Sequence, residues 1–295
     1  MRHLITGGSG FIGQALSHAL TGDGHDVVVL TRNAGRARAR LPEAVLLVEN
    51  LSEVGDVDVV VNLAGESLAA ARWTDARKQA IRESRIGTTR RLVDWMAARE
   101  RRPRVLVSGS AIGWYGARGD EELGEDAAPG DDFAAHLCRD WEAEADKASM
   151  LGVRVCRMRT GIVLDAGGGA LGKMLLPFRL GLGGKLGDGK QWMSWITRKD
   201  AVCVIRWLIK TEAAQGAYNA TAPAPLINAD FARALGAALH RPALLPAPAF
   251  ALRLMLGEMA DLLLTGQRVM PQRALAQGFR FRYPDLSAAL AAIFG

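Results

Sequence analysis

Three glycines near the N-terminus have the spacing of a phosphate-binding turn. Gly7, Gly10 and Gly13 follow a short apolar strand (residues 3–6) and open a segment with helical spacing (residues 14–20). The first glycine lets the chain turn sharply, the second lets the backbone approach a pyrophosphate, and the third lets the helix pack on the sheet. Because a helix N-terminus offers free N–H groups to phosphate oxygens, this turn predicts a dinucleotide site. The alternative is a glycine-rich turn without a ligand.

The end of the second predicted strand indicates which dinucleotide the site prefers. That strand (residues 26–31) ends at Thr31 and Arg32, where an enzyme that uses NAD usually has an acidic residue for the ribose 2′-hydroxyl. No acidic residue stands here. Arg32, helped by Arg36, suits a 2′-phosphate because a guanidinium offers a planar fork of donors. The sequence therefore favours NADP(H) over NAD(H), with a surface arginine at a strand end as the alternative.

Apolar runs alternate with helical segments along the first half of the chain. Strands and helices that alternate at this spacing form a parallel, doubly wound sheet. The fold class is therefore α/β, a Rossmann-type doubly wound parallel sheet with a smaller, mostly helical C-terminal substrate region. The further predicted strands are residues 56–63, 105–107 and 153–158, and the further predicted helices are residues 74–99, 133–150 and 250–264.

The amino-acid composition changes after residue 164, where glycine and later proline become frequent. We expect residues 1–165 to form the dinucleotide-binding domain, and residues 196–221 to return to it. Residues 166–195 and 222–295 are expected to form the substrate-side and C-terminal domain.

The amino-acid composition indicates a globular protein. Of the 295 residues, 49% are hydrophobic and 23% are charged, which is ordinary for a globular protein and not for a disordered one. No window of about eighteen uncharged apolar residues exists, so no membrane span is expected, and the N-terminus reads as a strand and not as a signal peptide. The three cysteines lie far apart and predict reduced thiols of a cytoplasmic protein, with neither disulfides nor a metal site.

The formal net charge of +6 has two interpretations, a basic face for nucleic acid or arginines for a phosphorylated cofactor. The basic residues are spread over the chain, and no aromatic residues interleave the local cluster of Arg36, Arg38 and Arg40. We therefore expect no nucleic acid. The expected partner is a small-molecule substrate, with the protein a monomer or a homodimer.

Several motifs together resemble one family. The glycine turn and Asn62-Leu63-Ala64-Gly65 resemble the extended short-chain dehydrogenase/reductase superfamily. More narrowly, essentially the whole chain is similar to the NAD-dependent epimerase/dehydratase family, in its epimerase-like branch of atypical short-chain reductases with a C-terminal domain of unknown function. The stretches that carry this narrower resemblance include Arg72-Trp73-Thr74, Ser84-Arg85, Ser108-Gly109-Ser110, Cys138-Arg139-Asp140-Trp141-Glu142, Arg159-Thr160-Gly161-Ile162, Gln191-Trp192-Met193-Ser194-Trp195 and Leu256-Gly257-Glu258-Met259.

The resemblance implies NADP(H) binding. The small residues after the third strong strand suit the adenosine side of the cofactor, and in related folds the turn at residues 159–162 lies beside the nicotinamide. The expected cofactor-binding residues are Gly7, Gly10, Phe11, Ile12, Gly13, Thr31, Arg32, Leu63, Ala64, Gly65, Ser108, Arg159, Gly161 and Ile162.

Enzymes of this superfamily use a serine, a tyrosine and a lysine, and this chain lacks the usual tyrosine and lysine. The tyrosine exchanges a proton with the substrate oxygen, and the lysine lowers the tyrosine pKa. The resemblance places the two four residues apart on the helix predicted over residues 133–150, where Ala134 and Cys138 stand. Neither can do this work, so the usual proton relay is missing.

Three residues remain as candidate catalytic groups. Ser110 stands at a strand end where the superfamily has its serine, Tyr115 follows in the loop as a stand-in acid, and Glu66 follows the third strand as an acid or base near the cofactor. The alternative for Tyr115 is an aromatic side chain packed against the sheet edge, and for Glu66 a solvated carboxylate. Cys138 is read as a buried helical cysteine in preference to a reactive thiol.

The segment from residue 187 to residue 195 is the candidate substrate side. Lys190, Gln191, Trp192 and Trp195 combine aromatic and polar groups, which suits a substrate wall, although the tryptophans could equally fill the core between the two domains. Thr197 stands where the family usually has a histidine, so no role of that histidine carries over.

Two functions remain open. The first is an NADP(H)-dependent oxidoreductase or nucleotide-sugar epimerase that acts on a small carbonyl or hydroxyl substrate. The second is a non-catalytic NADP(H)-sensing or scaffold protein, because the Tyr-x-x-x-Lys pair is absent.

Overall fold

The computed structural model describes residues 1–295, the whole chain, and contains thirteen strands. Seven of them form one parallel sheet, and the other six form three separate pairs. The strands, in chain order, are β1 (Arg2–Thr6), β2 (Asp26–Leu30), β3 (Leu46–Val48), β4 (Val59–Asn62), β5 (Val105–Ala111), β6 (Glu122–Leu123), β7 (Arg154–Thr160), β8 (Ile162–Asp165), β9 (Trp192–Met193), β10 (Trp195–Thr197), β11 (Gly216–Ala220), β12 (Leu226–Ile227) and β13 (Arg268–Val269).

Twelve α-helices accompany the strands, and none of them is both long and apolar enough to cross a membrane. A π-helical turn (Glu83–Gly87) joins the third helix to the fourth. The helices are α1 (Phe11–Gly22), α2 (Ala34–Arg38), α3 (Asp75–Arg82), α4 (Thr88–Ala97), α5 (Phe133–Asp146), α6 (Gly169–Arg179), α7 (Arg198–Lys210), α8 (Asn228–Ala238), α9 (Ala249–Leu256), α10 (Asp261–Leu264), α11 (Gln272–Ala276) and α12 (Leu286–Phe294).

The strand order of the large sheet, β11-β7-β5-β4-β1-β2-β3, reverses direction between β1 and β4. The chain runs outward from β1 through β2 to β3, and then returns to pair β4 with the other side of β1. In sheets of this kind, ligands bind beyond the carboxyl ends of the strands at the point of reversal. The candidate site therefore lies past Thr6 and Asn62, the paired last residues of β1 and β4.

Alternate residues of the central strands supply two cores, one on each face of the sheet. Ile5 and Val29 belong to one core, while their neighbours Leu4 and Val28 belong to the other. Strands buried on both faces need apolar side chains at every position, which explains the continuous Val, Ile and Leu runs of the sequence. The predicted α/β Rossmann-type class is confirmed.

Residues after position 196 contribute again to the large sheet and its core. Helix α7 packs on α1 through Ala201 and Ile205, and β11 pairs in parallel with β7. A third core, separate from these two, joins α6, α8 and α12 around Trp195 and Phe231. The domain bounds stated above stay a prediction, although these contacts agree with a return of the chain to the first domain.

The predicted helix over residues 74–99 is interrupted. Thr74 caps α3 as expected, because its hydroxyl accepts a hydrogen bond from the Arg77 amide at 3.2 Å. The π-helical turn then adds one residue to the winding before α4 begins. Apolar spacing cannot reveal this turn, since the helical period resumes on either side of it.

Other elements escaped the sequence pattern. Helix α6 forms inside the glycine-rich segment, because Leu171, Leu175 and Phe178 place one buried face on the third core. The helix predicted over residues 250–264 is broken at Gly257, which has a φ of 60°. The short β3 and α2 carry too few residues to show a period.

Candidate functional site

The glycine turn is fixed by close backbone packing at two of its three glycines. A Cβ on Gly7, whose φ is +69°, would lie 2.5 Å from the Leu63 carbonyl oxygen, and a Cβ on Gly13 would lie 2.2 Å from the Gly7 carbonyl oxygen. A Cβ on Gly10 would approach only the Gly7 oxygen, at 3.0 Å, and Gly10 is exposed. The spacing therefore serves two contacts within the protein and leaves the middle glycine as an open backbone surface.

Helix α1 begins at this open surface without a side-chain cap. Gly10 is its N-cap, and the first turn holds no acidic residue. The N–H groups of Phe11 and Ile12 therefore begin a helix whose dipole favours an anion. Ile12 also packs against the core.

Phe11 links the glycine turn to the start of α6. Its ring leaves no room for a side chain at Gly169, where a Cβ would lie 2.7 Å from a ring carbon. The Arg198 guanidinium lies 5.0 Å from the centre of the same ring. The start of α6 is thereby in direct contact with the first residue of α1.

A buried hydrogen-bond network holds the second loop of the site, residues 62–65. Thr6 donates its hydroxyl proton to Asn62 Oδ1 at 2.6 Å, and Asn62 Nδ2 donates to Thr89 Oγ1 at 2.8 Å. Trp141 Nε1 donates to the same Thr89 oxygen at 2.9 Å. Because these groups are buried and satisfied, they fix the end of β4 and thus the position of Leu63, which abuts Gly7.

Arg32 follows the half-buried Thr31 just beyond the end of β2, and its side chain is 92% exposed. Its Nη1 lies 3.8 Å from Glu66 Oε1, and Glu66 also forms an ion pair with Arg77. Neither Ser110 nor Tyr115 hydrogen-bonds to Glu66. The structure thus brings Glu66 together with the arginines near the end of β2, and not with the other two candidate catalytic residues.

Ser110 lies inside β5, and its hydroxyl is engaged in a buried ion pair. Ser110 Oγ donates to Glu142 Oε1 at 2.7 Å, and Arg159 donates to the same carboxylate through Nε at 2.8 Å and Nη2 at 3.0 Å. The Arg159 and Glu142 side chains are 3% and 2% exposed. Arg159 therefore serves this internal pair, with its side chain turned away from solvent.

Tyr115 belongs to the same buried network. Its hydroxyl donates to Asn219 Oδ1 at 2.7 Å and accepts from Arg159 Nη1 at 3.0 Å. Burial raises the pKa of Tyr115 above its ordinary value, although the positive charge of Arg159 opposes this shift. Its packing matches the alternative interpretation of a buried aromatic side chain, with the addition that its hydroxyl is fully used.

The positions that correspond to the superfamily's tyrosine and lysine face the protein interior. Ala134 packs against Gly113, where a Cβ would lie 3.1 Å from the alanine methyl group. Cys138 lies 3.6 Å from the Ala111 carbonyl oxygen, and burial raises the pKa of its thiol to about 12. Cys138 is a buried thiol, as the sequence favoured, and is not poised as a nucleophile.

The backbone after β7 is occupied by internal hydrogen bonds. The Gly161 amide donates to the Ala220 carbonyl at 3.1 Å, and the Ile162 amide donates to the Ser194 carbonyl at 2.9 Å. The expected cofactor contacts of these two residues therefore cannot use their N–H groups. Ser108, also expected near the cofactor, is buried within β5.

The four substrate-side candidates do not form one wall. Trp195 is fully buried in the third core and donates to the Ala224 carbonyl at 3.1 Å, so the core interpretation applies to it. Trp192 is partly exposed and donates to Asp120 at 2.7 Å. Gln191 donates to the Leu263 carbonyl at 2.8 Å, and Lys190 is exposed.

Sequence reasoning missed Arg77, Ser84 and Arg85 as parts of the site. Ser84 Oγ accepts from the Glu66 amide at 3.0 Å, and Arg85 Nη2 donates to the Glu66 carbonyl at 3.0 Å. Ser84 and Arg85 follow Arg77 by seven and eight positions, which is close to two turns of an α-helix. That spacing was the signal that the sequence offered.

No group of three or more His, Cys, Asp or Glu side chains is placed to hold a metal ion.

The reversed strand order and the glycine turn define a Rossmann-type α/β protein, and known families agree with this class. Residues 3–221 match the NAD dependent epimerase/dehydratase family, and residues 247–293 match a domain of unknown function, DUF1731. The chain therefore belongs to the NAD-dependent epimerase/dehydratase family.

Relatives of similar length align with this chain over nearly its whole length. The epimerase family protein YfhF of Bacillus subtilis is 39% identical over 298 residues, which cover 98% of this chain and 97% of that protein. The epimerase family protein SDR39U1 of Mus musculus is 40% identical over 296 residues, with 98% of each chain covered.

Solved structures show the same architecture. The crystal structure of human epimerase family protein SDR39U1 (isoform 2) with NADPH has a TM-score of 0.91, 36% identity and coverage of 99% of both chains. A nucleoside-diphosphate sugar epimerase from Corynebacterium glutamicum has a TM-score of 0.81 and 34% identity over 100% of this chain and 58% of that one. MoeE5, in complex with UDP-glucuronic acid and NAD, is 19% identical and supports the fold alone.

Proposed function

We propose that this protein binds NADP(H) at the glycine turn and uses it as a redox cofactor on a small carbonyl or hydroxyl substrate. The observation that carries the proposal is the packing of the turn. Gly7 and Gly13 are closed against protein backbone, while Gly10 leaves open the surface at which α1 begins without a side-chain cap. A pyrophosphate fits this combination of an open glycine and free helical N–H groups.

The choice of NADP(H) over NAD(H) depends on Arg32. Its guanidinium is exposed near the end of β2, no acidic residue stands beside it on that strand end, and its contact with Glu66 is long. A 2′-phosphate would replace this weak contact with charge-assisted hydrogen bonds. The relative crystallised with NADPH, which shares the fold along its whole length, supports the same cofactor.

A titration of the purified protein with NADPH and NADH, followed by energy transfer from tryptophan to nicotinamide, tests the proposal. Arg32→Ala should weaken NADPH binding by about 10- to 100-fold, the value of a charge-assisted hydrogen bond, and leave NADH binding unchanged. Arg280→Ala is the matched control, because Arg280 is exposed and forms no ion pair. A wild-type protein that binds neither dinucleotide would refute the proposal.

The reaction is proposed as hydride transfer by an oxidoreductase or a nucleotide-sugar epimerase. Family membership supports this class, and the nicotinamide supplies the hydride when bound. NADPH deuterated on its nicotinamide ring, incubated with aldehydes, ketones and nucleotide-sugars, reports transfer by mass spectrometry. An epimerase would instead convert a nucleotide-sugar without net consumption of the cofactor.

A second candidate is a non-catalytic protein that senses NADP(H) or serves as a scaffold. The observation that favours it is the engagement of the Ser110 and Tyr115 hydroxyls in the buried network around Arg159. A sensor should bind NADPH tightly, change its protease sensitivity on binding, and transfer no deuterium to any substrate of the panel. A location in the cytoplasm stays a prediction for either candidate.

A further inference from the structure

Arg85 lies against the second loop of the candidate site. The π-helical turn (Glu83–Gly87) carries it, and its guanidinium leaves a Cβ on Gly65 only 3.0 Å from Cζ, 3.1 Å from Nη2 and 3.3 Å from Nε. These nearly equal distances place Gly65 over the face of the guanidinium and not at its edge. Trp141 packs nearby, with its ring centre 5.4 Å from Cζ. π-Helical turns are rare and occur often at functional sites.

The donors of Arg85 are only partly satisfied by the protein. Nη2 donates to the Glu66 carbonyl at 3.0 Å, and Nη1 makes two longer contacts of 3.4 Å, to the Ile81 carbonyl and Ser84 Oγ. Nε has no protein acceptor and, unlike Nε of Arg77, is not sealed from solvent. The Nε–Nη2 edge, which forms bidentate hydrogen bonds with oxyanions, therefore has free donors.

Arg85 also has no ion-pair partner in the protein. No carboxylate lies within 4.0 Å of it, because the neighbouring Glu66 carboxylate is held by Arg77 and Arg32. Arg77 and Arg32 thus share the Glu66 carboxylate, and Arg85 forms no ion pair. Burial lowers the pKa of Arg85, and the positive charge of Arg77 adds to this lowering, while Cys138 and Glu66 oppose it. By contrast, the buried Arg159 has its own carboxylate in Glu142.

A half-buried cation without an ion-pair partner costs free energy that a bound anion would recover. Gly65 continues the loop whose Leu63 carbonyl abuts Gly7, so this cation lies beside the glycine turn. We propose that Arg85 is an oxyanion-binding residue of the site and that its free edge holds a phosphate or carboxylate group. The inference rests on the proposed dinucleotide binding. The oxyanion belongs either to the cofactor's pyrophosphate or to the substrate.

Two variants test this role: Arg85→Gln removes the charge, and Arg85→Lys keeps the charge without the planar guanidinium donors. Arg91→Gln is the control, because Arg91 lies on α4 with 61% of its side chain exposed. Affinities for NADPH and for adenosine 2′-monophosphate, which has no phosphate on its 5′ side, are measured at constant ionic strength. Binding of inorganic phosphate and of acetate is measured by thermal shift on the free and the NADPH-saturated protein.

If the cofactor supplies the oxyanion, Arg85→Gln should weaken NADPH binding by about tenfold or more and spare the binding of adenosine 2′-monophosphate. If the substrate supplies it, NADPH affinity should hold, while phosphate or acetate binding to the NADPH complex is lost. Arg85→Lys should fall between wild type and Arg85→Gln. The inference is overturned if every affinity of Arg85→Gln stays within about twofold of wild type, or if Arg91→Gln shows the same losses.

The two proposals fail in different ways. Absence of NADPH binding by the wild-type protein refutes the proposed function alone, and the phosphate titration of the free protein then decides the role of Arg85. Normal NADPH binding with unchanged behaviour of both Arg85 variants refutes the oxyanion site alone.

Discussion

Gly13→Ala tests whether the glycine turn has the shape described here. The added Cβ would lie 2.2 Å from the Gly7 carbonyl oxygen and 2.6 Å from Gly8 Cα, and both are backbone atoms that no rotamer change can move. Gly7 cannot retreat, because the position of its own absent Cβ is 2.5 Å from the Leu63 carbonyl oxygen. Relief therefore requires a shift of α1 or of the whole turn.

The expected loss of stability can be estimated from two opposing terms. Overpacking of a closed site costs about 1–3 kcal/mol, and more where backbone must move, while alanine gains about 1 kcal/mol over glycine in a helix. We expect a net loss of about 1–3 kcal/mol, because an overlap this deep exceeds the usual range of packing errors. Gly22→Ala lies on the same helix with no atom within 4 Å of its new Cβ, and should range from neutral to a gain of about 1 kcal/mol.

Urea unfolding, followed by tryptophan fluorescence, measures the free energy of unfolding of both variants. An NADPH titration of the same samples measures their affinity for the cofactor. Gly13→Ala should lose NADPH affinity as well as stability, since the displaced turn no longer presents the start of α1. Gly22→Ala should keep wild-type affinity. Equal stability of the two variants, together with wild-type NADPH affinity in Gly13→Ala, would show that the close packing of the turn is not real.

Two further predictions concern buried charges. Glu142→Gln leaves Arg159 buried without its carboxylate and should lower the free energy of unfolding in urea by about 3–5 kcal/mol. Glu83→Gln is the control, because Glu83 and its partner Arg91 are both 61% exposed, and it should cost less than about 1 kcal/mol. Comparable costs of the two variants would contradict the buried pair. Burial, then the charges of His25 and the N-terminus, lowers the pKa of His3 to about 4. Since the unfolded chain takes up this proton near pH 6.5 and the folded chain only near pH 4, His3 should make stability fall as the pH drops between these values, by at most about 3 kcal/mol. His3→Leu should remove this part of the pH dependence and the exposed His18→Leu should keep it; identical unfolding profiles of His3→Leu and wild type from about pH 7 to 4 would contradict it.

The fold was predictable because its signals are local and repeated. The apolar runs of β1, β2 and β4 are buried on both faces, so the sequence shows them without interruption. Gly7 and Gly13 meet backbone constraints that leave no room for a Cβ. Helix α6 was not predictable, because its glycines and Pro177 favour a loop and only burial on the third core outweighs them.

The site was less predictable than the fold, because its polar groups are satisfied by partners distant in sequence. Ser108-Gly109-Ser110 reads as a strand end by propensity, yet β5 continues to Ala111 and both serines are buried within it. The partner that allows Ser110 to be buried is Glu142, thirty-two residues later on α5. No local sequence pattern predicts such a pair, because the sequence does not show which side chains are in contact.

The polar groups of the site fall into two sets with opposite electrostatic character. Around Glu66 the arginines outnumber the carboxylate, and Arg32 is exposed while Arg85 Nε has no protein acceptor, which suits the binding of anions. Around Arg159 the charge is paired with Glu142, and the Ser110 and Tyr115 protons are already donated. Because burial also raises the Tyr115 pKa, this hydroxyl gives up its proton less readily than a free tyrosine. Ser110 and Tyr115 could therefore pass a proton to a substrate oxygen only by breaking a buried hydrogen bond.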